Sequence, residues 1–200
     1  MTWPLMQLVT ALYLGGLLLI HRKGWQLVFY LWCVFGFVFL AIHMVILQGW
    51  DVAFAGLEAQ HVRMLVAPLG INLQSLDATT FLVPDGSGWS GLKIGIECST
   101  VIELSVFAGL VLFYPRLSMQ QRWLYVLIGA VGTYLLNILR IVIIVLMIAA
   151  WGKPAVPVAH TIVGRMVYFL GIVGLYWFLL TQPTLHLVRR SIETAGRAVR

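Results

Sequence analysis

Apolar runs of bilayer length, separated by short polar interruptions, make up most of this 200-residue chain. A run of roughly 17–25 apolar residues crosses the hydrocarbon as a helix. The pattern predicts five such spans, at about 4–20, 25–48, 98–114, 123–150 and 160–181. The breaks between them are the cluster His21-Arg22-Lys23, the loop from Tyr114-Pro115-Arg116 to Gln121-Arg122, and the segment from Trp151-Gly152-Lys153-Pro154 to Pro157. The first run has neither a basic leader nor a small-residue cleavage site, so it is expected to stay as a span.

Residues 49–96 follow a different pattern and hold four of the seven acids. Over 51–66, Val52, Phe54, Ala55, Val62, Leu65 and Val66 recur at helical spacing, which predicts an amphipathic helix lying on the membrane. Pro68 and Gly70 end it. A possible strand over 73–79 comes next, and then a β-hairpin from 79–83 and 92–96 around the turn Pro84-Asp85-Gly86-Ser87-Gly88. Strand edges cannot face lipid, so this insert belongs outside the hydrocarbon. The expected fold is therefore one all-α polytopic membrane domain over 1–200, with a small extracytoplasmic insert at 49–96.

Composition agrees with that pattern. The chain is 61% hydrophobic and 10% charged, with a mean hydropathy of +0.96, whereas soluble domains carry about 25% charged residues. The net charge of +6 therefore reads as topology. No basic stripe with interleaved aromatics points to nucleic acid. Arg22, Lys23, Arg116, Arg122 and the tail arginines Arg189, Arg190, Arg197 and Arg200 fall on one set of loops. Arg63, Lys93 and Lys153, offset by acids, fall on the other. The positive-inside rule puts the first set in the cytoplasm, so the insert and the N-terminus face outward. The expected location is the plasma membrane. Cys33 and Cys98 lie at different expected depths, so two unbridged thiols are expected.

Charges within these spans need a reason, because an Arg at mid-span costs on the order of 2.5–3.5 kcal/mol on insertion scales. Glu97 and Glu103 sit at the third span, Arg140 on the fourth and Arg165 on the fifth. At about 1.5 Å per residue, Glu103 matches the depth of Arg165, and a pair with either Arg165 or Arg140 is expected. Arg140 lies about 16 Å below Trp151 by the same rise, so either the fourth helix overhangs the membrane or the site is sunken. Asn137, three residues before Arg140, shares its helix face. Such charges can also do no more than lock helix register, and a lone Cys in an apolar helix is usually a small core residue.

In their order, Glu97-Cys98-Ser99 at the start of one span, Asn137-Ile138-Leu139-Arg140 on the next and His160 opening the last resemble the exosortase/archaeosortase family of membrane cysteine transpeptidases. The resemblance covers roughly residues 70–175. It departs at Thr100, where the family usually has Gly, and in span number, so the chain is similar to the short variants. The resemblance implies catalysis by Cys98, Arg140 and His160, with Glu97, Ser99, Glu103, Asn137 and Arg165 supporting. A thiol with an ordinary pKa of about 8.5 needs a nearby cation to act as the nucleophile. The resemblance further implies a membrane-anchored substrate protein with a C-terminal motif, an apolar helix and a basic tail, and neither metal nor cofactor.

Three other readings stay open on residue types alone. One is a small transporter using the intramembrane charges. The second is a haem- or quinone-binding subunit using His43 and His160. The third is a non-catalytic scaffold for protein or polysaccharide export. His43 itself is expected to face the bundle.

Overall fold

The computed structural model describes residues 3–86, 88–96, 98–115 and 117–182. Glu97, Arg116 and the tail arginines lie outside the described residues. Among the described residues, six α-helices and a small sheet follow one another as α1 (Trp3–Arg22), α2 (Gln26–Leu47), α3 (Trp50–Val66), β1 (Gln74–Ser75), β2 (Thr80–Pro84), β3 (Trp89–Lys93), α4 (Val101–Leu112), α5 (Met119–Trp151) and α6 (Gly164–Tyr176). Two π-helical stretches, Val158–Val163 and Trp177–Thr181, flank α6 and merge with it into one 29-residue helix, Lys153–Thr181.

Among the described residues, three helices are long and apolar enough to cross a membrane: α2, α5 and Lys153–Thr181. The expected third span is shorter than its sequence suggests. α4 has 12 residues, about 18 Å of helix against a hydrocarbon thickness of about 30 Å. It starts at Val101 rather than 98, because the side chains of Ser99 and Thr100 are spent on a turn and on a partner helix. Five crossings need α1 and α4 as well, and that count belongs to the proposal below.

Lipid offers no hydrophobic drive between helices, so close packing has to hold these together. Glycines provide it. A Cβ on Gly129 of α5 would fall 1.9 Å from the Phe107 ring of α4, and one on Gly36 of α2 would fall 2.0 Å from the Tyr13 hydroxyl of α1. Leu136 of α5 likewise fills the space over Gly171 of α6.

The insert has a water-type core, and α5 supplies much of it. Ala55, Ala59, Val62 and Val66 of α3, with Phe81, Val83 and Leu92 of the sheet, enclose Ile138, Ile141, Ile144, Val145 and Ile148. Fully burying one such aliphatic is worth about 1.5–3 kcal/mol. The fourth predicted span is therefore not lipid-facing throughout. Its 33 residues make about 50 Å of helix, and the C-terminal third is the core of the insert. The apolar positions of α3 divide into a buried stripe, Ala55, Ala59, Val62 and Val66, packed in the core with α5, and an exposed set that includes Val52, Phe54 and Leu65.

The sheet has the order β1-β2-β3, and both pairings are antiparallel. Asp77 starts β2 by accepting hydrogen bonds from the Thr79 and Thr80 amides at 2.7 Å, which hold its carboxyl below the usual range. The second hairpin strand lies at Trp89–Lys93, three residues earlier than the expected 92–96, with Ser90 and Leu92 pointing inward. Pairing closes at Asp85 N–H to Gly88 O, and the positive φ of Gly86 and Gly88 shapes that turn. It continues only to Ile94, whose N–H donates to Thr79 O at 2.9 Å, before the chain turns away at Gly95.

Candidate active site

Cys98 lies in a tight turn between the sheet and α4, not in a helix. Its own N–H donates to Gly95 O at 2.9 Å, and the Ser99 hydroxyl donates to Ile96 O at 2.9 Å. That bond ties the Ser99 side chain into the turn. The turn places Cys98 three residues before α4, at the positive end of the helix dipole, where negative charge is favoured.

Two side chains from other elements reach the sulfur. His160 Nε2 stands 3.1 Å from Cys98 Sγ. It comes from the π-helical stretch Val158–Val163, a wider turn of the kind that often marks functional positions. Arg140 Nη2 donates toward Sγ at 3.9 Å. Its guanidinium is buried and lies 5.4 Å over the Tyr168 ring. The mismatch in depth between Cys98 and Arg140 is thus resolved by the helix: α5 rises into the insert and carries Arg140 up to the thiol.

Asn137, fully buried, holds the turn in place. Its Nδ2 donates to Cys98 O at 2.7 Å and to Glu58 Oε1 at 3.0 Å. Glu58 is the residue that sequence reading missed. It is fully buried on α3 and also accepts from the Thr100 N–H at 3.2 Å and from the Thr100 hydroxyl. A glycine at position 100 would lack that hydroxyl. A signal was available: Ala55, Glu58, Ala59 and Val62 form one i, i+3, i+4, i+7 stripe, so the carboxylate falls on the apolar face of α3.

Burial pushes the Glu58 carboxyl up, opposed by its bonds to Thr100 and Asn137 and by the charge of Arg140. A carboxyl raised in the folded state contributes stability below its unfolded value of about 4.3, and that contribution is lost as pH rises through the folded value. Glu58→Gln, whose carbonyl can still accept these bonds, is expected to keep the site and to melt at the same or a higher temperature near pH 8. Glu58→Ala leaves three donors short of a partner at about 1–3 kcal/mol each and should melt several degrees lower. Thermal melts of the two variants across pH 5–8 check this.

Glu103 does not close the expected ion pair. Its Oε2 has no hydrogen-bond partner, and neither Arg140 nor Arg165 reaches it within 4 Å among the described residues. Glu103, Arg140 and Arg165 instead share a cavity of about 280 Å³ with Tyr168, Phe169 and Ile172. The charges meet across space that a carboxylate and two guanidiniums can keep polar. His43 is exposed and stacked on Phe39, away from this site. Cys33 and Cys98 are not joined in a disulfide.

A thiol, an imidazole and a guanidinium within 4 Å of one sulfur can perform acyl transfer. The imidazole exchanges the thiol proton and the guanidinium meets developing negative charge. The model of the transmembrane exosortase family matches residues 2–178 of the chain. No curated protein and no solved structure matches it.

Proposed function

From the premise that the chain belongs to the transmembrane exosortase family, a family of cysteine transpeptidases, we propose that it cleaves exported membrane-anchored proteins at a C-terminal sorting signal and transfers them to an acceptor. The convergence of His160 Nε2 and Arg140 Nη2 on Cys98 Sγ, from three separate elements, supports this best.

The chemistry runs on these three residues. His160 takes the thiol proton, and Cys98 Sγ forms a bond to the carbonyl carbon of the scissile peptide. The carbonyl oxygen becomes an oxyanion beside Arg140, a permanent cation. Collapse breaks the C–N bond, and His160 passes its proton to the leaving amine. The resulting thioester is resolved by an acceptor nucleophile or by water. Asn137 and Ser99 set the position of the Cys98 turn, while Glu103 and Arg165 keep the adjoining cavity polar.

Five crossings place the insert and Cys98 outside the cell and the tail in the cytoplasm, by the bias of Lys and Arg between the two sets of loops. The substrate approaches as an apolar helix with a basic cytoplasmic end, alongside these spans in the plasma membrane. The single membrane domain then carries its site at the outer face.

Alkylation in intact membranes tests the assignment of the nucleophile. Cys98, with a base and a cation at its sulfur, should react with iodoacetamide at least about tenfold faster than Cys33, because the thiolate is the reactive form. Mass spectrometry of the two cysteine-containing peptides over time gives both rates. Equal rates would remove the basis for the assignment.

A further inference from the structure

We propose that the free edge of β3 is the substrate-binding strand: the segment of the substrate that carries its cleavage signal adds to the sheet there and is led along it to Cys98. This rests on the transpeptidase reading and adds how the substrate is held.

Register fixes which main-chain groups are available. Ile94 N–H bonds Thr79 O and Asp85 N–H bonds Gly88 O, so the hydrogen-bonded pairs of the β2–β3 ladder are 79/94, 81/92, 83/90 and 85/88. Ser90, Leu92 and Ile94 therefore spend their N–H and C=O on β2. On the other side of β2, Leu76 N–H bonds Thr80 O, which confirms that the even positions of β2 face β1. Trp89, Gly91 and Lys93 then turn their N–H and C=O off the sheet. β3 is an edge strand in the order β1-β2-β3, and all three of these residues are exposed.

An exposed edge is normally a liability, blunted by lysine or proline. Lys93 does this at one end. Gly91 in the middle brings neither charge nor proline to the edge, and a Cβ there would meet nothing closer than Leu82 Cδ2 at 3.8 Å, so alanine fits at this position.

The edge leads to the chemistry. Leu92, Lys93 and Ile94 line the same small pocket as Cys98, Arg140, Ile141, Ile144 and His160. That pocket measures about 10 Å³, room for about one water and not for a substrate side chain. Main-chain hydrogen bonds along the strand edge would bring an extended chain to the sulfur, and side-chain choice would fall to neighbouring surfaces such as the cavity of about 440 Å³ that Lys93 and Ile94 line with Asp51 and Asp77. The occupant is accordingly an extended polypeptide, placed with a carbonyl beyond the end of β3.

Proline at an edge position tests this, because it removes an N–H that the hairpin does not use. The substrate is the anchored host protein whose C-terminal processing is lost when this chain is deleted. Gly91→Pro should raise KM about 5- to 10-fold over Gly91→Ala, which keeps the N–H, with kcat little changed. Lys93→Pro should do the same, and the iodoacetamide rate at Cys98 should be equal in the proline and alanine variants. Equal KM for Gly91→Pro and Gly91→Ala overturns the proposal. So does loss of Cys98 alkylation in both proline variants, since the strand would then support the site rather than the substrate. Cys98→Ala in the same series separates the two ideas. If it still processes, the transpeptidase reading fails; if it is dead while Gly91→Pro is unaffected, only the edge fails.

Discussion

Cys98→Ala is expected to leave substrate processing at background, a loss on the order of 10⁶-fold in kcat, as when a covalent nucleophile is removed from a protease. The change removes one sulfur from a half-buried turn whose hydrogen bonds run through its main chain and through Ser99 and Asn137. The fold should survive, and a melt near that of the parent protein is the control. Cys33→Ala, on α2, should process at the parent rate. The measurement is a gel-mobility or mass assay for the shortened substrate, with a search for a substrate–enzyme thioester in the parent and its absence in the variant. Processing by Cys98→Ala at more than a few per cent of the parent rate would rule out a Cys98 acyl-enzyme.

Arg140→Lys is the second large effect, expected to cost about 10²–10³ in kcat with little change in KM. The charge is kept, so a residue that only balances Glu58 and Glu103 would be rescued. Three features say otherwise. Arg140 is buried, its Nη2 points at the sulfur at 3.9 Å, and its flat face lies over Tyr168 at 5.4 Å. A planar guanidinium can stack on the ring and present Nη2 to the sulfur at once, whereas an ammonium is a compact, strongly hydrated point charge on a flexible stem. The negative charge that Arg140 is placed to meet grows only as the carbonyl is attacked, so its loss falls on kcat. An Arg140→Lys enzyme at parental kcat would reduce Arg140 to a counter-charge.

Much of this was legible in the chain. All five predicted apolar runs are helical, four to within four residues at each end and the last beginning seven residues early at Lys153, because a long apolar stretch must satisfy its own amides. The insert announced itself through its acids and its Pro and Gly residues. Cys98, Asn137, Arg140 and His160 stood out as polar groups at costly positions, and they do meet. The misses have separate causes. The start of α4 slipped to Val101 because Ser99 and Thr100 bond to partners outside their own helix, one of them on α3. The second hairpin strand slipped because pairing closes tightly between Asp85 and Gly88, so the return strand begins at once at Trp89 opposite Pro84. Glu58 was passed over because its partners, Thr100 and Asn137, lie 42 and 79 residues further along the chain.

What the sequence determined by itself is the membrane class, the helical runs, the position of the insert and the residues able to do acyl chemistry, since these follow from hydropathy and side-chain chemistry over short windows. What only the tertiary structure decided is how deep each element sits. From sequence, Arg140 is an arginine 11 residues inside the end of an apolar helix. Packing shows that the same apolar residues are the core of the insert, so the helix climbs out of a bilayer-length span and brings the guanidinium to the thiol. A hydrophobic residue reads the same whether lipid or protein covers it. The choice between the two lies in contacts between α3, the sheet and α5 that are far apart along the chain.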